Sequence, residues 1–144
     1  MNSDLAVGLH IVGFLTARDG EPLTSDLLAE TYGTSPVVVR RVLTRLKQAG
    51  LVETKRGAGG GSVLARAASQ INLRQVYEAV ARNPELLRRH PGQASGVADV
   101  LSDYINELCG EAEEALLRRL EKVSVRQMDA VVKPRICELL RRRS

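Results

Sequence analysis

Tryptophan is absent, and tyrosine and phenylalanine together make up only 3% of the chain. Modules that hold RNA or single strands stack bases on aromatic rings, so that mode of binding is excluded. Cysteine is nearly as scarce. Cys109 and Cys137 stand 28 positions apart with no CxxC spacing, which is neither a disulfide framework nor a metal knuckle. The only histidines are His10 and His90, and neither is set among residues that suggest a nucleophile, base and orienting acid. The sequence therefore predicts no enzyme. No apolar run reaches the roughly 18 residues of a membrane span. The N-terminus also lacks a basic start followed by an apolar stretch, so a cytoplasmic location is expected.

What is present suits a soluble body with one specialised surface. Hydrophobic residues make up 44% of the 144, enough for the core of one domain, or of one small domain with an appended element. The net charge of +4 is unevenly spread. Between Ser35 and Arg66 lie seven basic residues (Arg40, Arg41, Arg45, Lys47, Lys55, Arg56, Arg66) and one acid, Glu53; these 32 residues carry +6 and the remainder −2. A local basic patch on a near-neutral body fits a nucleic-acid footprint better than a merely solvated face does.

Local patterns place that patch. Leu5, Leu9, Val12 and Thr16 recur at helical spacing through residues 4–17, although Gly8 and Gly13 weaken the helix. Residues 18–22 form a turn. Thr24 or Ser25 then caps a short helix that Gly33 ends. Ser35-Pro36 starts a third helix, which runs to about Ala49 with an apolar stripe of Val39, Val42 or Leu43, and Leu46. Short helix, turn and basic helix make a helix-turn-helix pattern.

Residues 51–55 and 62–66 read as two strands flanking RGAGGG, with Arg66 on the strand surface. The glycines do not fit a phosphate loop: position 62 is serine where GxGxxG needs glycine, no Lys-Ser/Thr follows, and no helix opens there. A hairpin tip explains them better, since glycine lets the backbone approach a sugar–phosphate chain closely. A helix capped by Asn72 ends near Asn83-Pro84, and residues 84–96 read as an irregular connection. From Val97 to Leu120 apolar residues repeat every three or four positions along roughly 37 Å of helix. Such a seam is expected to pack on a second copy of the chain, with packing on its own chain as the alternative. A final helix begins at Ser124 or Val125, breaks near Pro134 and ends in the basic tail Arg141–Arg143. Cys109 and Cys137 are expected as small buried hydrophobes, and His10 as a packed or partly exposed ring.

With these elements in place, LLAETYGTSPVVVRRVLTRLKQAGLVETKRGAGGGSVLAR resembles the Rrf-two family of bacterial transcriptional regulators, and the similarity extends from about Leu5 to Leu120. AGLV, RG with GGG, and LAR carry it. The resemblance implies a mainly α fold with a small β-hairpin. A winged helix-turn-helix domain (1–83) is followed by a connecting loop (84–96), then by a dimerisation helix and helical tail (97–144). It implies a homodimeric repressor on a palindromic duplex operator, with Val37, Arg40 and Arg41 reading bases and Arg56 entering the minor groove. Ser35, Thr44, Lys55, Gly57, Gly59 and Gly60 complete the expected DNA surface, and Leu101, Tyr104, Ile105, Leu108, Ala112 and Leu116 the dimer seam. Cluster-binding members carry three cysteines before and at the start of the long helix, where this chain has none. His10 is placed like a first-helix ligand but without partners. No metal or cofactor is therefore expected, and the effector, small molecule or redox signal, stays unidentified. The alternative from another class is a winged helix that mainly binds proteins or senses thiols or metals, with DNA secondary.

Overall fold

A computed structural model describes residues 3–81 and 96–143. Six helices and one antiparallel hairpin follow in the order α1 (Ser3–Ala17), α2 (Ser25–Tyr32), α3 (Pro36–Gln48), β1 (Val52–Lys55), β2 (Gly61–Leu64), α4 (Leu73–Val80), α5 (Gly96–Glu121) and α6 (Val125–Arg143). The proposed loop 84–96 and His90 fall outside the described residues, except that Gly96 already opens α5.

Local chemistry sets the helix ends. Thr24 caps α2 by accepting from the Leu27 N–H, and Gly33, in the left-handed region, closes it. The Ser35 hydroxyl accepts from the Val38 N–H, with Pro36 opening the first turn of α3. Asn72 and Gln75 form a reciprocal capping box on α4. Ser124 and Gln127 do the same at the start of α6, each side chain accepting the other's backbone N–H at 3.1 and 2.9 Å.

One core joins these elements. Val39, Val42, Leu43 and Leu46 of α3 are all buried, so the stripe includes both Val42 and Leu43. They meet Leu5, Ile11, Val12 and Leu15 of α1, together with Val76, Tyr77 and Val80 of α4. Gly8 permits the close approach of α1 to α4, since a Cβ there would stand 3.1 Å from Val80 Cγ1. The chain returns to this core after α5. Val125 is fully buried, its N–H donates to the Ile71 carbonyl at 2.8 Å, and the Leu73 N–H donates to Val123 at 2.9 Å.

Several expectations need correction. β2 ends at Leu64, so Arg66 is not strand surface but lies exposed in the bend that follows. α6 continues through Pro134 rather than breaking there. Pro134 has no N–H to donate to the Ala130 carbonyl, and Ala130 is exposed, so that carbonyl is open to water. Cys109 is half-buried and Cys137 exposed, so neither is a core hydrophobe. The long α5 has no buried residue. Leu101, Tyr104, Ile105 and Leu108 stand exposed along it, Ala112 is exposed too, Leu116 is half-buried, and Leu117 and Leu120 lean on the core.

Candidate nucleic-acid interface

The third helix presents two different faces outside the core. Val37, Arg40, Thr44 and Lys47 follow one another at three- and four-residue spacing and are all exposed. Arg40 reaches back to α2, donating to Ser25 Oγ at 3.3 Å and to Asp26 Oδ1 at 3.1 Å. The Thr44 hydroxyl donates to the Arg40 carbonyl at 2.8 Å. Ser35 is spent on the cap but lies exposed at the same end of the helix.

Between this face and the hairpin lies an open cleft of about 450 Å³, lined among others by Ser25, Arg40, Thr44, Lys47, Thr54 and Ser62. Its wall is held by an additional bridge. Leu23 and Ser62 exchange backbone hydrogen bonds at 3.0 and 2.8 Å, so the hairpin is tied to the segment that leads into α2. Lys47 and Thr54 were not among the expected contacts. The helical spacing Arg40–Thr44–Lys47 was the signal that could have found Lys47; Thr54 depends on how the hairpin folds back.

The hairpin pairs Val52 with Leu64 and Lys55 with Gly61, leaving residues 56–60 as its tip. Lys55 and Arg56 are exposed there. Gly57 and Gly59 have φ of +100° and +72°, where a side chain is strained, which accounts for glycine at the tip. Gly60 is needed for room, because a Cβ would come within 2.3 Å of the Lys55 carbonyl oxygen. The tip is thus a tight turn that carries Arg56, with Lys55 at the adjoining end of β1.

Arg41 takes another direction. It does not line the cleft. Its guanidinium donates to Asp4 Oδ1 at 2.6 Å, while Arg45 donates to Asp4 Oδ2 at 2.8 Å and to the Val80 carbonyl at 2.9 Å. The cleft thus brings Arg40 and Thr44 together with Thr54, Gly61 and Ser62 of the hairpin. Lys55, Arg56, Gly57, Gly59 and Gly60 do not line it, and Arg41 points elsewhere.

A three-helix body whose last helix faces a cleft beside a β-hairpin is a winged helix-turn-helix, and the protein is of the DNA-binding transcription regulator class. The profile of the Rrf2 family, described as "Iron-dependent Transcriptional regulator", matches residues 1–130, and the chain belongs to this family. It is 30% identical to YwnA of Bacillus subtilis over 130 residues, which cover 89% of this chain and 96% of that protein. It is 42% identical to the regulator NsrR of the same organism over 69 residues, 47% of each chain. CymR, the global cysteine regulator of B. subtilis, has the same fold, with a TM-score of 0.69 at 19% identity over 91% of this chain and 96% of that one.

The donors among the described residues do not fit an iron centre. Among the described residues no group of three or more His, Cys, Asp or Glu is arranged to hold a metal ion. The two cysteines sit on different helices. Exposed His10 donates its Nδ1–H to the Ala6 carbonyl at 2.7 Å and packs its ring on Tyr32 with centroids 4.3 Å apart. Among the described residues no helix is long and apolar enough to cross a membrane.

Proposed function

We propose that the chain is a cytoplasmic, homodimeric repressor that binds a palindromic operator, each protomer reading one half-site. The observation that carries this reading is the cleft between α3 and the hairpin, which Arg40, Thr44 and Lys47 line from one helix face, with Lys55 and Arg56 exposed on the wing. α3 lies in the major groove, where Val37 contacts a base edge or thymine methyl and Arg40 reads guanine through O6 and N7. Ser35 and Thr44 position the helix on phosphates. Lys55 and the amides of Gly57, Gly59 and Gly60 follow the backbone, and Arg56 enters the minor groove, whose narrow segments attract arginine.

The exposed apolar face of α5 supports dimerisation, with Leu101, Tyr104, Ile105, Leu108, Ala112 and Leu116 packing against their counterparts. The signal that releases the operator is a small molecule or redox change acting without a bound metal cluster.

The test is selection of duplexes from a random-sequence pool, followed by gel shifts with Arg40→Ala and Arg56→Ala. Both variants are expected to lose affinity, Arg40→Ala with relaxed preference at one base pair. Survival of full affinity in both would overturn the contact assignment. A shallow salt dependence would instead favour the protein-binding alternative, because phosphate contacts release counterions.

A further inference from the structure

Asp4 is an acid at a place where a basic DNA surface has no evident use for one. It lies in the first turn of α1, 4% exposed. A buried carboxylate must be paired and hydrogen-bonded to be tolerated. Here two arginines from the third helix serve it, Arg41 at 2.6 Å and Arg45 at 2.8 Å, one on each oxygen. Arg45 also donates to the carbonyl of Val80, the last residue of α4. One carboxylate and one guanidinium therefore tie α3 to the start of α1 and the end of α4.

The helical geometry gives this clamp a second consequence. Consecutive residues stand about 100° apart around a helix. Arg40 therefore faces the cleft while Arg41, the next residue around the helix, is drawn toward α1. Its side chain is 39% exposed, so it remains within reach of a DNA backbone if released. Its Nε is buried and has no hydrogen-bond partner among the described residues.

We infer that Asp4 is a positioning residue for DNA recognition: it holds Arg41 away from the DNA and fixes the seat of α3, so that base selectivity rests on Arg40. This inference rests on the DNA-binding reading above. A mobile guanidinium beside the recognition face would bind any phosphate in reach, raising affinity for every sequence alike. Held on Asp4, the Arg41 guanidinium is kept from the phosphates, and Arg45 keeps the angle of α3 against α1 and α4.

The experiment uses the full chain, a duplex selected from a random pool by the wild-type protein, and a scrambled duplex of equal length. Affinities are read over a range of salt, below the melting temperature of each variant. If the wild-type protein selects no duplex, the DNA-binding reading fails before Asp4 is tested. Given selection, Arg41→Gln is expected to keep the base preference and to bind the selected duplex within about twofold of wild type. Asp4→Asn is expected to tighten scrambled-duplex binding about tenfold and steepen the salt slope by about one, as for one added phosphate contact. Adding Arg41→Gln to Asp4→Asn should reverse both changes. The inference is overturned if Arg41→Gln alters preference at one base pair, which would make Arg41 a reader. It is overturned equally if Asp4→Asn weakens both duplexes alike with an unchanged slope, as a purely structural residue would. Should Asp4→Asn fail to fold, Arg41→Gln alone decides.

Discussion

Leu23 and Ser62 exchange backbone hydrogen bonds in both directions, and through them the wing becomes part of the helix-turn-helix rather than an appendage. The neighbouring Gly61 lies so close that an added Cβ would stand 2.6 Å from the carbonyl carbon and oxygen of Leu23. Backbone cannot yield there as a flexible side chain could. Gly61→Ala is therefore expected to cost about 1–3 kcal/mol in urea denaturation, the range of overpacked sites. It should also weaken DNA binding, because the wing is displaced from the cleft. Unchanged stability would mean that the bridge does not hold the wing.

Lys47 lines the cleft from α3, whereas Arg56 is exposed at the wing tip outside that lining. If both meet phosphates, each neutral substitution should lower the slope of log affinity against log salt by about 0.9. Lys47→Ala is expected to weaken all sequences alike. Arg56→Ala should discriminate, losing more on duplexes with a narrow A·T-rich minor groove. Equal losses on all duplexes would place Arg56 on the backbone outside the groove.

Tyr77 couples the winged domain to α5. Its side chain is buried in the core, and its hydroxyl donates to Glu113 Oε1 at 3.3 Å. Burial first, then the nearby Glu113 charge, raises the phenol above its ordinary value near 10. The neutral phenol is the form favoured by folding, so its contribution is complete below pH 10 and fades as pH rises through the raised value. Tyr77→Phe should cost about 0.5–1.5 kcal/mol at pH 8 through the lost hydrogen bond. The gap between wild type and variant should narrow as pH climbs above 10. A gap that stays constant to pH 11.5 would show that folding does not raise the phenol above its unfolded value.

Much of this molecule is written in short-range signals. Thr24, Ser35-Pro36 and Asn72 are caps that act within three residues, and Gly33 and the 56–60 tip are fixed by φ angles only glycine adopts freely. Such features give the winged helix and its wing from the sequence. What the sequence hides is action across distance. Asp4 meets Arg41 and Arg45 over separations of 37 and 41 residues, and nothing local marks the pairing. The family resemblance assigns Arg41 to base reading, and neither it nor helical spacing shows the Asp4 carboxylate that Arg41 meets in the folded chain. The docking of Val125 onto Ile71 is hidden for the same reason, as is the helix running through Pro134, where exposure to water decides the outcome.

The exposed face of α5 leads to the final prediction. Leu101, Tyr104, Ile105 and Leu108 are between 44% and 60% exposed, yet follow helical spacing on a helix of 26 residues. Solvated side chains need no such order, whereas a second helix does. None of the four belongs to the core of the winged domain, so changing them should leave that domain folded. Leu101→Glu with Leu108→Glu is expected to convert a dimer to a monomer by light scattering or sedimentation equilibrium. The charge would be forced into an apolar contact with its own symmetry-related copy. Binding to a palindromic duplex should then fall on the order of 10²-fold, since the second half-site no longer benefits from tethering to the first. Binding to a single half-site should change little, because Arg40, Thr44 and the wing are untouched. A double variant that keeps the dimer mass would show that this face is covered by something other than a second copy.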